Sequence, residues 1–289
     1  MKAARKSARD RRHAHTRYVD ALAYFTLTLA CGAAVAPMLW GLLTSFKVNA
    51  SISVYPPQWF PSPITLEHYQ VILTKTGAPR LFFNSVVLSV GTILLSLLAA
   101  CPAAYAAARF RFRWKNSILL IVLATGMIPG IAILIPIYLL AIQAKLLNSY
   151  VFLILVYSAW LIPQAIWFIK GFIEVVPRDL EEAALLDGCG VLAAFCRILL
   201  PLIQPGLAAI SILTFIYVWN DFLIGVTLTS SEEMRTVQVG MVRFVQDSSG
   251  VNWGHLMAFV VLAIGPVLLA FFLLQKRFIE GLTIGGIKG

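Results

Sequence analysis

The stretch from Tyr150 to Ile169 reads YVFLILVYSAWLIPQAIWFI, a run of 20 residues without a charged side chain. A helix of about 20 apolar residues is long enough to cross the hydrocarbon core of a bilayer. Five further apolar runs of at least that length occur, at 18–46, 85–108, 117–142, 203–228 and 255–274. Because the runs are continuous rather than alternating, they exclude a β-barrel and predict an all-α membrane protein with six transmembrane helices.

Composition supports a chain that is buried mainly in lipid. The sequence is 60% hydrophobic and 12% charged, whereas soluble domains are about 45–50% apolar and about 25% charged. The net charge of +10 lies in short segments between the apolar runs, which is typical of loops at an anionic membrane surface and not of a nucleic-acid interface. We therefore expect a single transmembrane domain over 18–274, between a basic tail at 1–17 and a C-terminal tail at 275–289.

Neither the first apolar run nor the four cysteines show the pattern of a processing or redox site. The run at 18–46 is longer than the core of a signal peptide, about 7–15 residues, so it is predicted to be the first span. The sequence contains no CxxC pair, and no histidine lies close in sequence to Cys31, Cys101, Cys189 or Cys196. These cysteines are interpreted as small apolar residues, and no metal site is expected.

The distribution of lysine and arginine predicts the orientation. If the N-terminus is cytoplasmic, the inner segments carry 17 of the 23 basic residues and the outer segments carry 6. Cytoplasmic loops of membrane proteins are enriched in these residues. We expect both termini to be cytoplasmic in a multi-pass protein.

One inner loop, 170–202, has an unusual composition. It holds five of the 13 acidic residues, which predicts that a basic partner docks on it. Asp179 with Glu182 forms the sequence pattern of a capping box, so a short helix is expected to follow and to end at Gly188. A second short helix and Pro201 would complete a hairpin on the membrane surface, with one apolar side formed by Leu185, Leu192, Phe195 and Leu199.

The residues of this loop resemble a known family. EAALLDGCGVLAAFCRILLP matches the EAA signature of permease subunits in bacterial binding-protein-dependent ABC importers. That signature is Glu-Ala-Ala, three residues, Gly, nine residues, Ile, one residue, Leu-Pro. All seven fixed positions are present, at Glu182, Ala183, Ala184, Gly188, Ile198, Leu200 and Pro201.

The resemblance implies the fold of a type I ABC importer permease, in which this loop is a cytoplasmic coupling helix. Coupling to the ATPase is then expected of the seven signature residues together with Asp187 and Phe195. For Glu182 the alternative is a capping role alone, and for Asp179 and Asp187 a solvated or capping role. The chain has no GxxxxGK[ST] motif, so no cofactor is expected on it, and ATP with Mg would bind to partner subunits.

The C-terminal part of the chain extends the resemblance over most of residues 80–289. TFIYVWNDFL resembles a segment in the fifth span of carbohydrate-type permeases, and GLTIGGIKG resembles their C-terminal tail. Gly285, Gly286 and Lys288 would contact the ATPase. Implied partners are a second homologous permease in a heterodimer, two ATP-binding subunits and an external solute-binding protein, all at a bacterial inner membrane. The long basic N-terminal tail departs from the family pattern.

Asp221 is predicted to lie deep in the fifth span, where a carboxylate is costly and suggests function. With Tyr217, Trp219 and Asn220 it could line a translocation pathway and hold a sugar by stacking and hydrogen bonds. The alternative is a structural bond to a neighbouring helix or an outer gate. Weaker pathway candidates, for which interfacial placement or helix packing is the alternative, are Gln143, Tyr157, Trp160, Gln164 and Trp167.

Several alternatives to a sugar importer stay open at this level. The solute could be a glycerol-phosphate-like molecule or another polar compound. A secondary transporter would be expected to have ion-coupling carboxylates and an internal repeat, neither of which is evident. A membrane enzyme would be expected to carry a motif such as HExxH or GxSxG, and none is present.

Overall fold

The computed structural model describes residues 2–245 and 251–286; within them, side chains are described except at 2–19, 274 and 276–286. The described residues are mostly helical and contain no strand apart from one isolated bridge between Lys47 and Ile64. The helices, in chain order, are α1 Lys2–Ser45, α2 Asn49–Ile52, α3 Glu67–Lys75, α4 Ala78–Arg109, α5 Lys115–Thr125, α6 Gly130–Gln143, α7 Tyr150–Val175, α8 Asp179–Leu186, α9 Val191–Ala194, α10 Leu200–Leu202, α11 Gln204–Asn220, α12 Leu223–Leu228, α13 Val237–Met241 and α14 Trp253–Gly286. A π-helical turn, Phe195–Leu199, joins α9 to α10, and 3₁₀ turns occupy Glu232–Met234 and Val242–Phe244.

Four helical stretches are long and apolar enough to cross a membrane: Asp20–Ser45, Ala78–Arg109, Tyr150–Val175 and Trp253–Leu273. Two further spans are broken. Lys115–Thr125 and Gly130–Gln143 meet at 84°, and Val191–Leu202 meets Gln204–Asn220 at 73°. Counting each bent pair as one span gives the six predicted spans.

Neither of the predicted spans at 117–142 and 203–228 is a single continuous helix. The first is interrupted between Thr125 and Gly130, where Pro129 cannot donate a backbone hydrogen bond. The second ends at Asn220, and Asp221 is extended before α12 begins. Helices also run past predicted boundaries, since α1 extends from Lys2 without a break at 17 and α14 continues to Gly286.

The core is built around α4 and α7, which pack along each other, while α11 packs on α14 and on both of these helices. Three buried clusters lie along this bundle, one of them beside the loop 170–202. We call the end of the bundle that carries this loop the hairpin end, and the opposite end the far end. The side chains of α5, of α6 and of α1 from Asp20 onward are largely exposed, which suits faces that meet lipid or another protein.

A proline-rich segment after α1 folds over the far end. It is anchored by Lys47, whose side chain is 2% exposed and donates a 2.6 Å hydrogen bond to the carbonyl of Gln58. The same ammonium group lies 4.1 Å from the ring centroid of Trp40, which is a cation–π contact. Burial lowers the pKa of Lys47. The Lys47 ammonium group thus links Gln58 of this segment to Trp40 of α1.

We expect Gly206→Ala to destabilise the bundle at the hairpin end. A Cβ at Gly206 would lie 2.5 Å from Cγ of Phe172, so the aromatic ring would have to move. Overpacking of this kind costs about 1–3 kcal/mol. Gly171→Ala is the matched control, because nothing lies within 4 Å of a Cβ built there. The melting temperature in detergent should fall for Gly206→Ala and not for Gly171→Ala. In a Phe172→Ala background, which removes the clashing atoms, Gly206→Ala should cause no further fall. Equal melting temperatures for both alanine variants would contradict the packing.

Candidate functional site

The loop 170–202 forms the predicted helical hairpin. Helix α8 ends at Leu186, and the chain turns through Gly188, which has a φ of +87°. The Gly188 N–H donates to the carbonyl of Leu185 at 3.1 Å, and the Cys189 N–H donates to that of Ala184 at 3.0 Å. This pair of bonds is a Schellman motif, in which glycine is favoured because other residues are strained at positive φ. The second arm then runs from Val191 to Leu202 and returns to the bundle.

The capping box predicted for the start of α8 was wrong. The helix begins at Asp179 with Arg178 as its N-cap residue, and no side chain there accepts a capping hydrogen bond. The carboxylates of Asp179 and Glu182 instead lie in the first turn, where the helix dipole favours negative charge. Glu182 is exposed, so its side chain is available to a partner.

The hairpin is attached to the bundle by an ion pair that sequence reasoning missed. Arg109, the last residue of α4, donates from Nε to Glu181 Oε1 at 2.6 Å, and both side chains are 9% exposed. The same guanidinium donates to the carbonyl of Val176 at 2.8 Å, at the end of α7. Arg178 returns a bond to the carbonyl of Ala108 at 3.2 Å. Two arginines therefore connect the ends of α4 and α7 to the first turn of α8.

A sequence signal for this pair existed but was weak. Glu181 is one of the five acidic residues in the loop 170–202, and Arg109 is one of four cations at 109–115, after the predicted second span. Their 72-residue separation gives no local pattern that would pair them. A charged residue at the end of a span, together with a loop of opposite charge, is the only hint that the sequence offers.

The signature residues divide into an outer and an inner set. Glu182, Ala183, Asp187, Gly188 and Pro201 are exposed, Ala184 and Phe195 are buried, and Ile198 and Leu200 lie between these extremes. The predicted single apolar side was wrong in part. Phe195 and Leu199 do pack into the bundle core, but Leu185 and Leu192 are exposed together with Leu186, which is 89% exposed.

The outer surface of the hairpin therefore combines apolar leucines with two carboxylates. Leu185, Leu186 and Leu192 surround a turn that carries Glu182 and Asp187. A soluble loop rarely leaves several large apolar side chains uncovered without a partner. The arrangement suits docking into an apolar cleft with a basic rim.

Asp221 does not lie within a helix of the described structure. Its Oδ2 accepts hydrogen bonds from the Tyr157 hydroxyl at 2.8 Å, the Ile224 N–H at 3.0 Å and the Gly225 N–H at 3.1 Å. The carboxylate thus closes the break between α11 and α12 and ties it to α7. The geometry matches the structural alternative, since all three donors are already engaged on one oxygen.

Two other predicted pathway residues, Trp219 and Asn220, are engaged in contacts within the bundle. Trp219 is 1% exposed, stacks on Phe215 at 5.3 Å between ring centroids, and donates from Nε1 to the carbonyl of Ala263 at 3.1 Å. Asn220 is exposed, but its Nδ2 donates to the carbonyl of Ile216 in its own helix at 2.8 Å. Trp219 is a packing residue between α11 and α14.

Tyr217 and Asp221 both line a small hollow of about 80 Å³ together with Trp160. Tyr217 also lines a larger hollow of about 530 Å³ with side chains from α7 and the break between α5 and α6. The polar and aromatic lining residues are Trp160, Gln164, Trp167, Phe168 and Tyr217. Three of the weaker candidates, Trp160, Gln164 and Trp167, are therefore brought together with Tyr217, whereas Tyr157 is fully buried.

The C-terminal residues predicted to contact the ATPase are described only in part. Gly285 and Gly286 form the end of α14. Lys288 lies outside the described residues.

Breaking the Arg109–Glu181 pair should loosen the hairpin. Leaving one buried charge without its partner typically costs about 3–5 kcal/mol, whereas replacing both partners by apolar residues costs much less. Arg109→Leu and Glu181→Leu should each lower the melting temperature in detergent, and the double variant should recover most of the loss. Lys170→Leu is the control, because its pair with Glu174 is an exposed i,i+4 contact. Strictly additive losses in the double variant would show that the two side chains do not interact.

Comparison with known proteins agrees with this architecture. Residues 81–283 match the family described as binding-protein-dependent transport system inner membrane component. The sulfoquinovosyl glycerol transport system permease protein of Agrobacterium fabrum is 34% identical over 253 residues, covering 88% of each chain. The diacetylchitobiose uptake system permease protein of Streptomyces coelicolor is 34% identical, covering 88% of this chain and 92% of that protein.

Further similarity comes from another permease and from solved structures. The arabinooligosaccharides transport system permease protein of Halalkalibacterium halodurans is 35% identical over 259 residues, covering 89% of this chain and 92% of that protein. The crystal structure of a bacterial ABC transporter involved in the import of alginate contains a chain that superimposes with a TM-score of 0.78 at 23% identity. It covers 91% of this chain and 97% of that one, so the fold is shared.

The family match spans most of the chain, and the relatives exceed 30% identity over nearly their full length. The chain belongs to the family of binding-protein-dependent transport system inner membrane components, as a carbohydrate-type ABC importer permease, which is a transport subunit and not an enzyme.

Proposed function

We propose that this chain forms half of the translocation pore of an ATP-driven importer for a sugar or oligosaccharide at a bacterial inner membrane. The observation that carries the proposal is the hairpin, whose outer surface leaves leucines and carboxylates uncovered beside the buried Arg109–Glu181 anchor. An exposed apolar surface of this kind requires a partner. The hairpin end is proposed to be cytoplasmic, in agreement with the distribution of basic residues, with both termini on that side.

The partner at the hairpin is proposed to be an ATP-binding subunit, present in two copies per importer. ATP and Mg would bind to that subunit, since this chain lacks a phosphate-binding loop motif. Glu182 and Asp187 would face basic side chains of the ATPase, while Leu185, Leu186 and Leu192 would fill an apolar cleft. Gly285, Gly286 and Lys288 would add a second contact.

The hairpin can transmit a displacement to the bundle because both of its ends are held by packed or ion-paired side chains. Glu181 holds its first turn to α4, and Phe195 and Leu199 hold its second arm in the core beside α4 and α7. A displacement of α8 by the ATPase would therefore reach α4, α7 and α11 together rather than being absorbed by a flexible loop. Rigid-body motion of packed helices is a common means of switching between two states.

The pathway is proposed to run along the hollow lined by Trp160, Gln164, Trp167 and Tyr217. Aromatic rings can stack on the faces of sugar rings, and the Gln164 amide and the Tyr217 hydroxyl can bond to sugar hydroxyls. A second homologous permease would close the hollow from the exposed side of α5 and α6. Asp221 is proposed to keep the helix break in place rather than to contact the solute.

The solute class rests on the relatives, which are named for sulfoquinovosyl glycerol, diacetylchitobiose and arabinooligosaccharides. The family description supports an external solute-binding protein as the component that delivers the solute. A glycerol-phosphate-like molecule is the second candidate. The hollow described here is lined by neutral side chains, which favours an uncharged sugar over a phosphate ester.

Substitutions in the hairpin should weaken association with the ATP-binding subunit. Gly188→Ala places a Cβ at positive φ, at a cost of about 1–2 kcal/mol, whereas Gly190→Ala is a matched control at a φ of −73° with open space. Co-purification from membranes should yield less ATP-binding subunit with Gly188→Ala and unchanged amounts with Gly190→Ala. Glu182→Gln should reduce solute-stimulated ATP hydrolysis while the melting temperature stays constant. If neither Gly188→Ala nor Glu182→Gln changes association or hydrolysis, the hairpin is not the coupling element.

Substitutions in the hollow should slow transport without affecting assembly. Trp160→Ala and Tyr217→Ala remove stacking surfaces, so uptake of the transported sugar in proteoliposomes should fall severalfold while ATP-binding subunits still co-purify. Tyr24→Ala serves as the control, because Tyr24 is 72% exposed on α1, far in sequence from the hollow. Uptake that is unchanged by both hollow variants would exclude this route for the solute.

A further inference from the structure

The loop between α4 and α5 has an alternating composition that the transport function does not use. Residues 110–115 read Phe-Arg-Phe-Arg-Trp-Lys, so aromatic and cationic side chains follow one another through the whole connection. The three aromatic side chains are exposed, Trp114 by 65%. Arg111 and Arg113 are exposed as well.

The same loop borders a shallow, open hollow of about 560 Å³ on the surface. Its lining residues are Arg111, Phe112, Arg113, Trp114, Lys115, Asn116 and Ser117, which bring three cations and no carboxylate to one space. None of these three cations takes part in a salt bridge among the described residues, since the pairs found there involve Arg109, Lys170, Arg235 and Arg243. The hollow is thus a concentrated positive site without an internal counter-charge.

Backbone geometry adds to the positive character. Helix α5, which is 11 residues long, begins at Lys115 inside this hollow, and its N-cap residue Trp114 provides no side-chain hydrogen bond. The first N–H groups of a helix attract anions, and the helix dipole strengthens this attraction. A phosphate in the hollow would meet both the N-terminus of α5 and the cations.

The position of this loop at the membrane surface indicates which kind of anion it would bind. The loop joins two membrane-spanning segments, so it lies where the hydrocarbon ends. Exposed Phe110, Phe112 and Trp114 are the side chains that partition into the interface between lipid tails and headgroups. Arg113 lies over the Trp114 ring at 5.5 Å, so the cation is held at the same depth as the aromatic group. Binding of a soluble anion would not account for the three exposed aromatic residues beside the cations.

We propose that the hollow at 111–117 binds the phosphate headgroup of an anionic phospholipid, with the neighbouring aromatic side chains inserted among the acyl chains. Basic pockets beside transmembrane helices recognise anionic headgroups in this way. The proposal is independent of the transported solute and of the ATPase.

The site is linked to the hairpin by direct contacts. Phe110 packs edge-to-face on Tyr105 at 5.7 Å between ring centroids, and Tyr105 packs on Phe195 of the hairpin at 4.9 Å. Arg109, next to Phe110 in the chain, holds Glu181 of α8. An occupied lipid site would therefore steady the base of the hairpin, so anionic lipid is expected to stabilise the protein and to support coupled ATP hydrolysis.

Binding can be measured on the purified full-length protein in neutral detergent with short-chain phosphatidylglycerol as the probe. Wild-type protein should bind this lipid at least roughly tenfold more tightly than short-chain phosphatidylcholine, and its affinity should fall with added salt. Arg111→Gln/Arg113→Gln should weaken phosphatidylglycerol binding by roughly tenfold or more, since each cation near the surface contributes. Trp114→Ala should weaken binding of both lipids.

Two controls make the test decisive. Lys75→Gln/Lys145→Gln removes the same charge outside the loop and should leave phosphatidylglycerol binding unchanged, and melting temperatures without lipid should be equal for all variants. Inorganic phosphate should not compete at lipid-equivalent concentrations. Equal affinity for the two lipids, an unchanged Arg111→Gln/Arg113→Gln variant, or effective competition by inorganic phosphate would overturn the proposal. Loss of the ATP-binding subunit from that variant, with phosphatidylglycerol binding intact, would assign the loop to a protein contact instead.

Discussion

Inside a bilayer no water is available to the peptide groups, so each backbone N–H and C=O must find a partner within the protein. This constraint fixes the helices, and it also decides where a helix can stop. At one helix break in this chain, a side chain and a distant helix supply the missing partners. At the end of α11 that side chain is Asp221, whose single oxygen accepts from two N–H groups of the next segment and from Tyr157 of α7. The carboxylate thus makes an interrupted span possible and joins it to the central helix pair.

The helix breaks also form the two features that are proposed to act in transport. The break between α5 and α6 and the side of α7 that carries Trp160 and Trp167 form the aromatic hollow, which a straight third span would have filled. The bend before α11 turns the chain out of the bundle and produces the hairpin. Both features proposed to act in transport, the hollow and the hairpin, therefore lie at places where a span is not continuous.

At the hairpin end, one buried ion pair similarly holds separate segments together. Arg109 reaches the ends of two helices and the first turn of a third, so the position of α8 is determined by side-chain bonds rather than by the length of the loop. The adjoining connection between α4 and α5 leaves its own cations without ion-pair partners among the described residues, although Arg111 is separated from Arg109 by a single residue. One cluster of basic residues is thus divided between an internal structural bond and a surface that faces the membrane.

The sequence by itself determined the helical membrane class, the six apolar segments, the hairpin with its glycine turn, and the family, because these depend on local composition, spacing and a motif with fixed positions. Hydrophobic length and a glycine at positive φ act within a few residues, so they can be read from the chain. The sequence did not determine the interruptions at Thr125–Gly130 and Asp221, the burial of Trp219, or the exposure of Leu185 and Leu192. Those depend on which side chains of distant segments supply hydrogen bonds and packing surfaces, as in the pairing of Arg109 with Glu181 across 72 residues. Only the tertiary structure decided that Asp221 closes a helix break while Tyr217 faces the hollow, since four residues of one segment can be assigned to a core or to an opening only when their neighbours are known.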